Sequence, residues 1–274
     1  MSEHSFSRFV YCDTNIISHL AKTKHLWSRL FDFLVENDLT LGISGAQLVE
    51  LSDAKSLLND LAKLFLRVPS ALLKNSETVL AEEVEAHPQR RTKSLLLQPL
   101  NAMLLEADGL QKLQGHLSSP GLRNARKTQL DLARQLASKH AEVKTNFPPS
   151  RTGDYTREQA DEFASAIVMQ WLADDHRDFL VGFQSHIPDF HPEVFLSIRL
   201  FAHVIFYKYY LGRREPNKIS DFGDLGHALL IPYCELAIME RDLCNVLNQI
   251  KHNQDTLAST IVRDIDFFQD WRSQ

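Results

Sequence analysis

The sequence predicts an α/β fold built around a parallel sheet. Three short apolar runs have the β-prone character of buried strands: Phe9–Cys12, Leu39–Ile43 and Leu236–Met239. Helical periodicity follows each run, and after the second run Ser44 and Gln47 have the spacing of a capping box that starts a helix. Strands that alternate with helices are typical of a parallel sheet covered by helices.

The middle of the chain has a different pattern. Residues 54–212 show long helical periodicity and almost no alternation of β-branched residues, with breaks at prolines such as Pro69 and Pro120. We therefore expect residues 1–53 and 213–274 to form one α/β domain. Residues 54–212 are predicted to be a large all-helical insertion in that domain.

Composition limits the classes of protein that the chain can represent. It has 274 residues, 44% of them hydrophobic, which is enough for a substantial core. No segment has the roughly 18 consecutive apolar residues that a membrane span needs, and the N-terminus lacks an apolar signal core. Three cysteines without CxxC spacing predict free thiols in a reducing compartment. We therefore expect a cytoplasmic protein with no membrane partner.

Acidic residues occur where the predicted strands end. Asp13 directly follows the first strand, Glu50 lies in the helix after the second, and Asp224 begins a late helix; Glu240 and Asp242 follow the third strand. Because the carboxyl ends of parallel strands meet at one edge of a sheet, we expect these carboxylates to converge. Carboxylates held together repel one another unless a cation neutralises them. Oxygen-only clusters suit Mg²⁺ or Mn²⁺, which can activate water for phosphodiester hydrolysis.

Four segments that carry these acids resemble a PIN domain. They are YCDTN at 11–15, SGAQLVE at 44–50, SDFGDLGHA at 220–228 and DLGHALLIPYCELAIMERD at 224–242. The resemblance covers roughly residues 8–53 and 213–274. It implies an α/β/α sandwich and a metal-dependent ribonuclease, a class that includes the toxins of bacterial toxin–antitoxin pairs.

The resemblance also implies which carboxylates bind the metal. Asp13, Glu50 and Asp224 match the first, second and third metal carboxylates of the family. The fourth is Asp242 by its spacing from Asp224, or Glu240 by its position directly after the strand. The residue before Glu240 is a methionine, where the family usually has threonine or serine.

Five further residues are candidates for supporting roles. Asn15 matches a polar residue that orients the first carboxylate, and Asp221 matches an additional acid before the late helix. The basic residues just before the acidic motif are candidate contacts for RNA phosphates, although charge runs are usually only solvated: Arg213, Arg214 and Lys218.

Two functions stay open from the sequence. The first is a metal-dependent nuclease that hydrolyses phosphodiester bonds of nucleic acid, preferably RNA, through metal-activated water. The alternative is a catalytically inactive PIN-like binding or scaffold protein that docks a partner on its helical block, and Met239 favours it. The net charge of −5 is unusual for a nucleic-acid binder, but a metal-dependent nuclease must concentrate carboxylates. An antitoxin, another protein partner and a homodimer also stay open.

Overall fold

The structure, a computed structural model, describes residues 8–117, 119–150, 153–183, 189–212 and 224–267. In this part of the chain six strands form one sheet: β1 (Arg8–Cys12), β2 (Leu39–Ile43), β3 (Ser70–Leu73), β4 (Leu96–Pro99), β5 (Leu236–Ile238) and β6 (Ile261–Arg263). Their order across the sheet is β4-β3-β2-β1-β5-β6. All neighbouring pairs are parallel except β3 and β4. The predicted parallel sheet that contains the first, second and late strands is confirmed.

The α-helices fall between and after these strands. They are α1 (Thr14–Lys22), α2 (Trp27–Glu36), α3 (Gly45–Leu51), α4 (Leu58–Arg67), α5 (Ser76–Ala86), α6 (Leu100–Leu104), α7 (Gly109–Leu117), α8 (Pro120–Asn146), α9 (Gln159–Asp175), α10 (Arg177–Val181), α11 (Leu196–Ile205) and α12 (Arg241–Asn253). The chain continues from α11 into a π-helical segment, Phe206–Leu211, and two 3-10 segments, Asp224–Leu229 and Ile231–Tyr233, precede β5. Within the described residues, no helix has both the length and the apolar character needed to cross a membrane.

The prediction that residues 54–212 are all-helical is wrong, because β3 and β4 lie in this block and extend the sheet beyond β2. Both strands have only four residues and contain no β-branched side chain. Such short runs give no signal with a period of two residues, so the helical periodicity around them dominates the pattern. Pairing with β2 makes β3 a strand, and β3 in turn pairs with β4.

The sheet is covered on both faces. Successive side chains of a strand point to opposite faces, and β1 follows this rule with four buried residues. Val10 and Cys12 pack with residues of α1, α2 and α4, whereas Phe9 and Tyr11 pack with residues of α9, α11 and α12. The described residues thus have the layering of an α/β/α sandwich, with β1 at its centre.

A buried carboxyl group joins α5 to α11. Glu83 of α5 accepts hydrogen bonds from the Ser197 backbone N–H (2.8 Å) and from the Tyr233 hydroxyl. The ring of Tyr233 also lies 4.7 Å from the Arg91 guanidinium carbon. Burial raises the pKa of Glu83 to about 7. Burial of this side chain is therefore more favourable when it is protonated.

We predict that Glu83→Gln stabilises the protein selectively at higher pH. The folded pKa lies above the unfolded value of 4.5, so the contribution of Glu83 is greatest at low pH and is lost as pH rises through about 7. Glutamine stays neutral and keeps an acceptor oxygen. As pH rises from 4 to 8, the difference in free energy of unfolding between Glu83→Gln and wild type should shift in favour of the variant by about 3 kcal/mol. Urea denaturation of both proteins at each pH measures this difference. A difference that does not change with pH would contradict this.

Gly42 provides the close contact between β2 and β3. A Cβ atom at this position would lie 2.8 Å from Cδ1 of Leu73, which is buried in the neighbouring strand. We expect Gly42→Val to lower the free energy of unfolding by about 1–3 kcal/mol, as overpacking does. Gly115, in α7, is the matched control, because a Cβ atom there meets nothing within 4 Å. Gly115→Ala should raise stability by about 0.5–1 kcal/mol, and a Gly42→Val variant as stable as wild type would exclude the contact.

Candidate functional site

Three of the candidate acids lie at the carboxyl ends of the three central strands. Asp13 follows β1 and caps α1, Glu50 lies in α3 after β2, and Glu240 caps α12 after β5. The Asp13 backbone N–H donates to the Ile238 carbonyl oxygen at 2.9 Å, which fixes the end of β1 against the end of β5. The sheet therefore holds Asp13 and Glu240 on adjacent chain segments at the same edge.

Asn15 connects two of these carboxylates. Its backbone N–H donates to Oδ1 of Asp13 at 3.0 Å, and its side-chain Nδ2 donates to Oε1 of Glu240 at 2.6 Å. Asp13 is buried, with 7% of its surface exposed, whereas Glu240 is exposed. Among the described residues, no donor binds the second oxygen of either carboxylate. These two carboxylate oxygens are hard ligands of the kind that suits Mg²⁺ or Mn²⁺.

Glu50 differs from the other two acids because protein donors bind both of its oxygens. Nε2 of His227 lies 3.1 Å from Oε2, Nε2 of Gln129 donates to Oε1 at 3.2 Å, and Nη1 of Arg126 lies 3.7 Å from Oε1. Burial acts to raise the pKa of Glu50, but the opposing effects of His227, Thr14 and Arg126 outweigh it and lower this pKa. Glu50 is therefore an anion at neutral pH.

A buried hydrogen-bond chain continues from Glu50 to β1. A carboxylate can only accept, so Nε2 of His227 carries a proton; in the neutral imidazole Nδ1 then accepts from the Tyr11 hydroxyl, 2.7 Å away. The Tyr11 oxygen lies 3.1 Å from Oγ of Ser44, the N-cap of α3. Burial raises the pKa of Tyr11 well above its ordinary value, and the charges of Asp13 and Glu50 add to this rise. Tyr11 thus keeps its proton and orients the imidazole.

The other sequence-predicted residues are placed only in part. Asp242 lies in the first turn of α12, two positions beyond Glu240. Asp224 begins the 3-10 segment Asp224–Leu229, and its side chain is outside the described residues. Four candidates lie entirely outside them: Asp221, Arg213, Arg214 and Lys218. In the described part of the chain, no group of three or more His, Cys, Asp or Glu side chains is arranged to hold a metal ion.

Sequence analysis did not connect His227, Arg126 or Gln129 with Glu50. His227 lies three positions after Asp224, within the acidic motif, so that proximity was the available signal. Arg126 and Gln129 belong to α8, in the block for which the sequence offered no pattern related to the site. Their approach to Glu50 depends on how α8 packs on α3, which the spacing of residues along the chain does not reveal.

Comparison of the chain with protein-family models, with curated proteins and with solved structures gives no match. The likeness to PIN domains therefore rests on the four sequence segments alone.

Proposed function

We propose that the protein is a metal-dependent nuclease that hydrolyses RNA phosphodiester bonds, with Mg²⁺ or Mn²⁺ as its cofactor. The observation that supports this best is the pairing of Asp13 and Glu240 through Asn15, at the carboxyl edge of a parallel sheet. Ligands of α/β proteins collect at this edge. Each carboxylate also has one oxygen to which no described residue donates.

Asp13 and Glu240 would hold the cation, joined by Glu50 and by Asp224 of the late segment. When bound, such a cation activates water for attack on phosphorus and stabilises the leaving oxygen. Asn15 keeps two of the carboxylates at a fixed separation, so that little reorganisation is needed. Its contact with Glu240 favours Glu240 over Asp242 as the fourth acid.

His227 and Tyr11 orient Glu50 in this proposal. The imidazole lies between the phenol and the carboxylate, with 1% of its surface exposed, so Glu50 cannot rotate freely. The contacts from Gln129 and Arg126 have the opposite effect, because they occupy the other carboxylate oxygen. Glu50 must leave these two donors before that oxygen can bind a cation.

The second candidate function is an inactive binding or scaffold protein, which the same contacts on Glu50 favour. In that case the donors from α8 replace the metal permanently, and buried Met239 replaces the family's hydroxyl-bearing residue. Calorimetric titration with Mn²⁺ separates the two functions. A nuclease should bind Mn²⁺, and a scaffold should give no heat above dilution.

We predict that Asp13→Asn strongly reduces RNA cleavage without unfolding the protein. The substitution keeps the shape and an acceptor for the Asn15 N–H but removes a negative charge beside the cation. Turnover should fall by orders of magnitude, since loss of one strong electrostatic stabiliser costs about 3–4 kcal/mol. The assay is cleavage of a mixed pool of structured and single-stranded RNAs with Mn²⁺.

The control variant is Asp32→Asn, on the exposed face of α2, which removes the same charge and should keep full activity. Equal cleavage by wild type and Asp13→Asn would assign the activity to another site or to a contaminant.

Glu240 and Asp242 should differ as metal ligands. We expect Glu240→Gln to weaken Mn²⁺ binding by about tenfold or more, equivalent to about 1.4 kcal/mol, because a charged ligand is lost. Asp242→Asn should leave the affinity nearly unchanged. Calorimetry on both variants decides the matter, and the opposite order of affinities would assign Asp242 as the fourth acid.

A further inference from the structure

A cavity of about 600 Å³ adjoins Glu50, between α3, α5, α8 and α11. This volume lies within the range of about 300–1,000 Å³ that is typical of small-molecule sites. The walls are mainly apolar, and Phe201 supplies an aromatic ring. Gln129 belongs both to the cavity wall and to the set of donors on Glu50. A ligand in the cavity that changes the contacts of Gln129 would therefore also change the hydrogen bonds of Glu50.

The chemistry of the walls fits a flat, uncharged, hydrogen-bonding ligand. The side-chain amide of Gln129 can present the donor-and-acceptor pair that is complementary to the N6/N7 edge of adenine, whereas the amide oxygen of Asn75 already accepts from the Thr78 N–H as the N-cap of α5. Guanine is recognised mainly by arginine and lysine, and the described lining residues include neither. Their charged member is Glu77, whose carboxylate would repel the O6 and N7 acceptors of guanine. Aromatic rings such as that of Phe201 stack on any base.

We propose that this cavity binds an unpaired adenine of the RNA substrate, and that Gln129 recognises the base. The inference rests on the proposed nuclease function and names the substrate feature that the site selects. Gln129 now accepts from Nη1 of Arg126 (2.8 Å) and donates to Oε1 of Glu50 (3.2 Å). Adenine offers a replacement for both partners, because its N6 amino group donates to the amide oxygen and its N7 accepts from the amide nitrogen.

The exchange would release one oxygen of Glu50. The Gln129 amide nitrogen has two N–H groups, so the carboxylate loses this donor only when the amide turns from Arg126 and Glu50 to face the base. The freed oxygen then becomes available to a cation. Two ligands that favour the same state of one residue strengthen each other's binding, and the effect is reciprocal.

Base selection is tested by binding without metal. The probes are fluorescein-labelled oligouridines, one with a single central adenosine and one without, titrated into the full-length protein with EDTA. Wild type should bind the adenosine probe about tenfold more tightly or better, the discrimination expected of one bidentate contact. Gln129→Leu should lose this preference. Gln135→Leu, an exposed glutamine of α8 that does not line the cavity, should keep it.

A second variant covers the case in which Gln129→Leu fails to fold. Thr128→Phe changes an exposed residue of the cavity wall, fills the space and should also remove the preference. Equal affinity of wild type for both probes overturns the inference, even if the protein cleaves RNA. Preference retained by a folded Gln129→Leu or Thr128→Phe variant overturns it as well. Adenosine preference without cleavage in any metal supports the inference and removes the proposed function.

The effect of adenine binding on the affinity for the cation is measured separately. Mn²⁺ affinity is determined by calorimetry with saturating free adenosine or free uridine, neither of which contains a cleavable phosphodiester. Adenosine should raise the affinity of wild type severalfold, and uridine should not. Gln129→Leu should bind Mn²⁺ more tightly than wild type without any nucleoside, and adenosine should add nothing. The same Mn²⁺ affinity in every case overturns the proposed release of Glu50.

Discussion

β1 pairs in parallel with both β2 and β5, and this pairing sets where the two helical layers and the acidic edge lie. Their hydrogen bonds place Val10 beside Leu41 on one side and beside Leu236 on the other. This register brings Asp13 level with the end of β5, where its N–H meets the Ile238 carbonyl. A shift by one residue would turn every β1 side chain to the opposite face, so the two apolar layers and the acidic edge are fixed together.

Hydrogen-bond donors compensate the carboxylates at this edge to different extents. Glu50 is stabilised as an anion by His227, Gln129 and Arg126, which come from segments far apart in the chain. Asp13 is neutralised less completely, since the Asn15 N–H is the donor that the described structure provides. In the proposed function a cation would be most favourable near Asp13, since a poorly compensated buried charge is costly.

Sequence patterns predicted the elements that have strong local signals. The strand before Asp13 is a continuous apolar run, and the capping box of Ser44 and Gln47 starts α3 as expected. Local patterns did not predict β3 and β4, because these short strands are stabilised by pairing with neighbours. The same limit applies to the site. Asp13 was found from its place after a strand, whereas the contacts of Gln129 with Glu50 arise from packing between distant helices.

The position of β5 has a consequence for biosynthesis. β1 is made before the other described strands, yet one of its two edges pairs with β5, which leaves the ribosome more than 200 residues later. Until then that edge presents unpaired backbone groups, which are prone to association with other chains. Glu240 and His227 are also late in the sequence, so the acidic edge is assembled only after residue 240. A nascent chain is therefore long exposed to aggregation, but in the proposed function it carries an incomplete nuclease site while it is still attached to its own messenger.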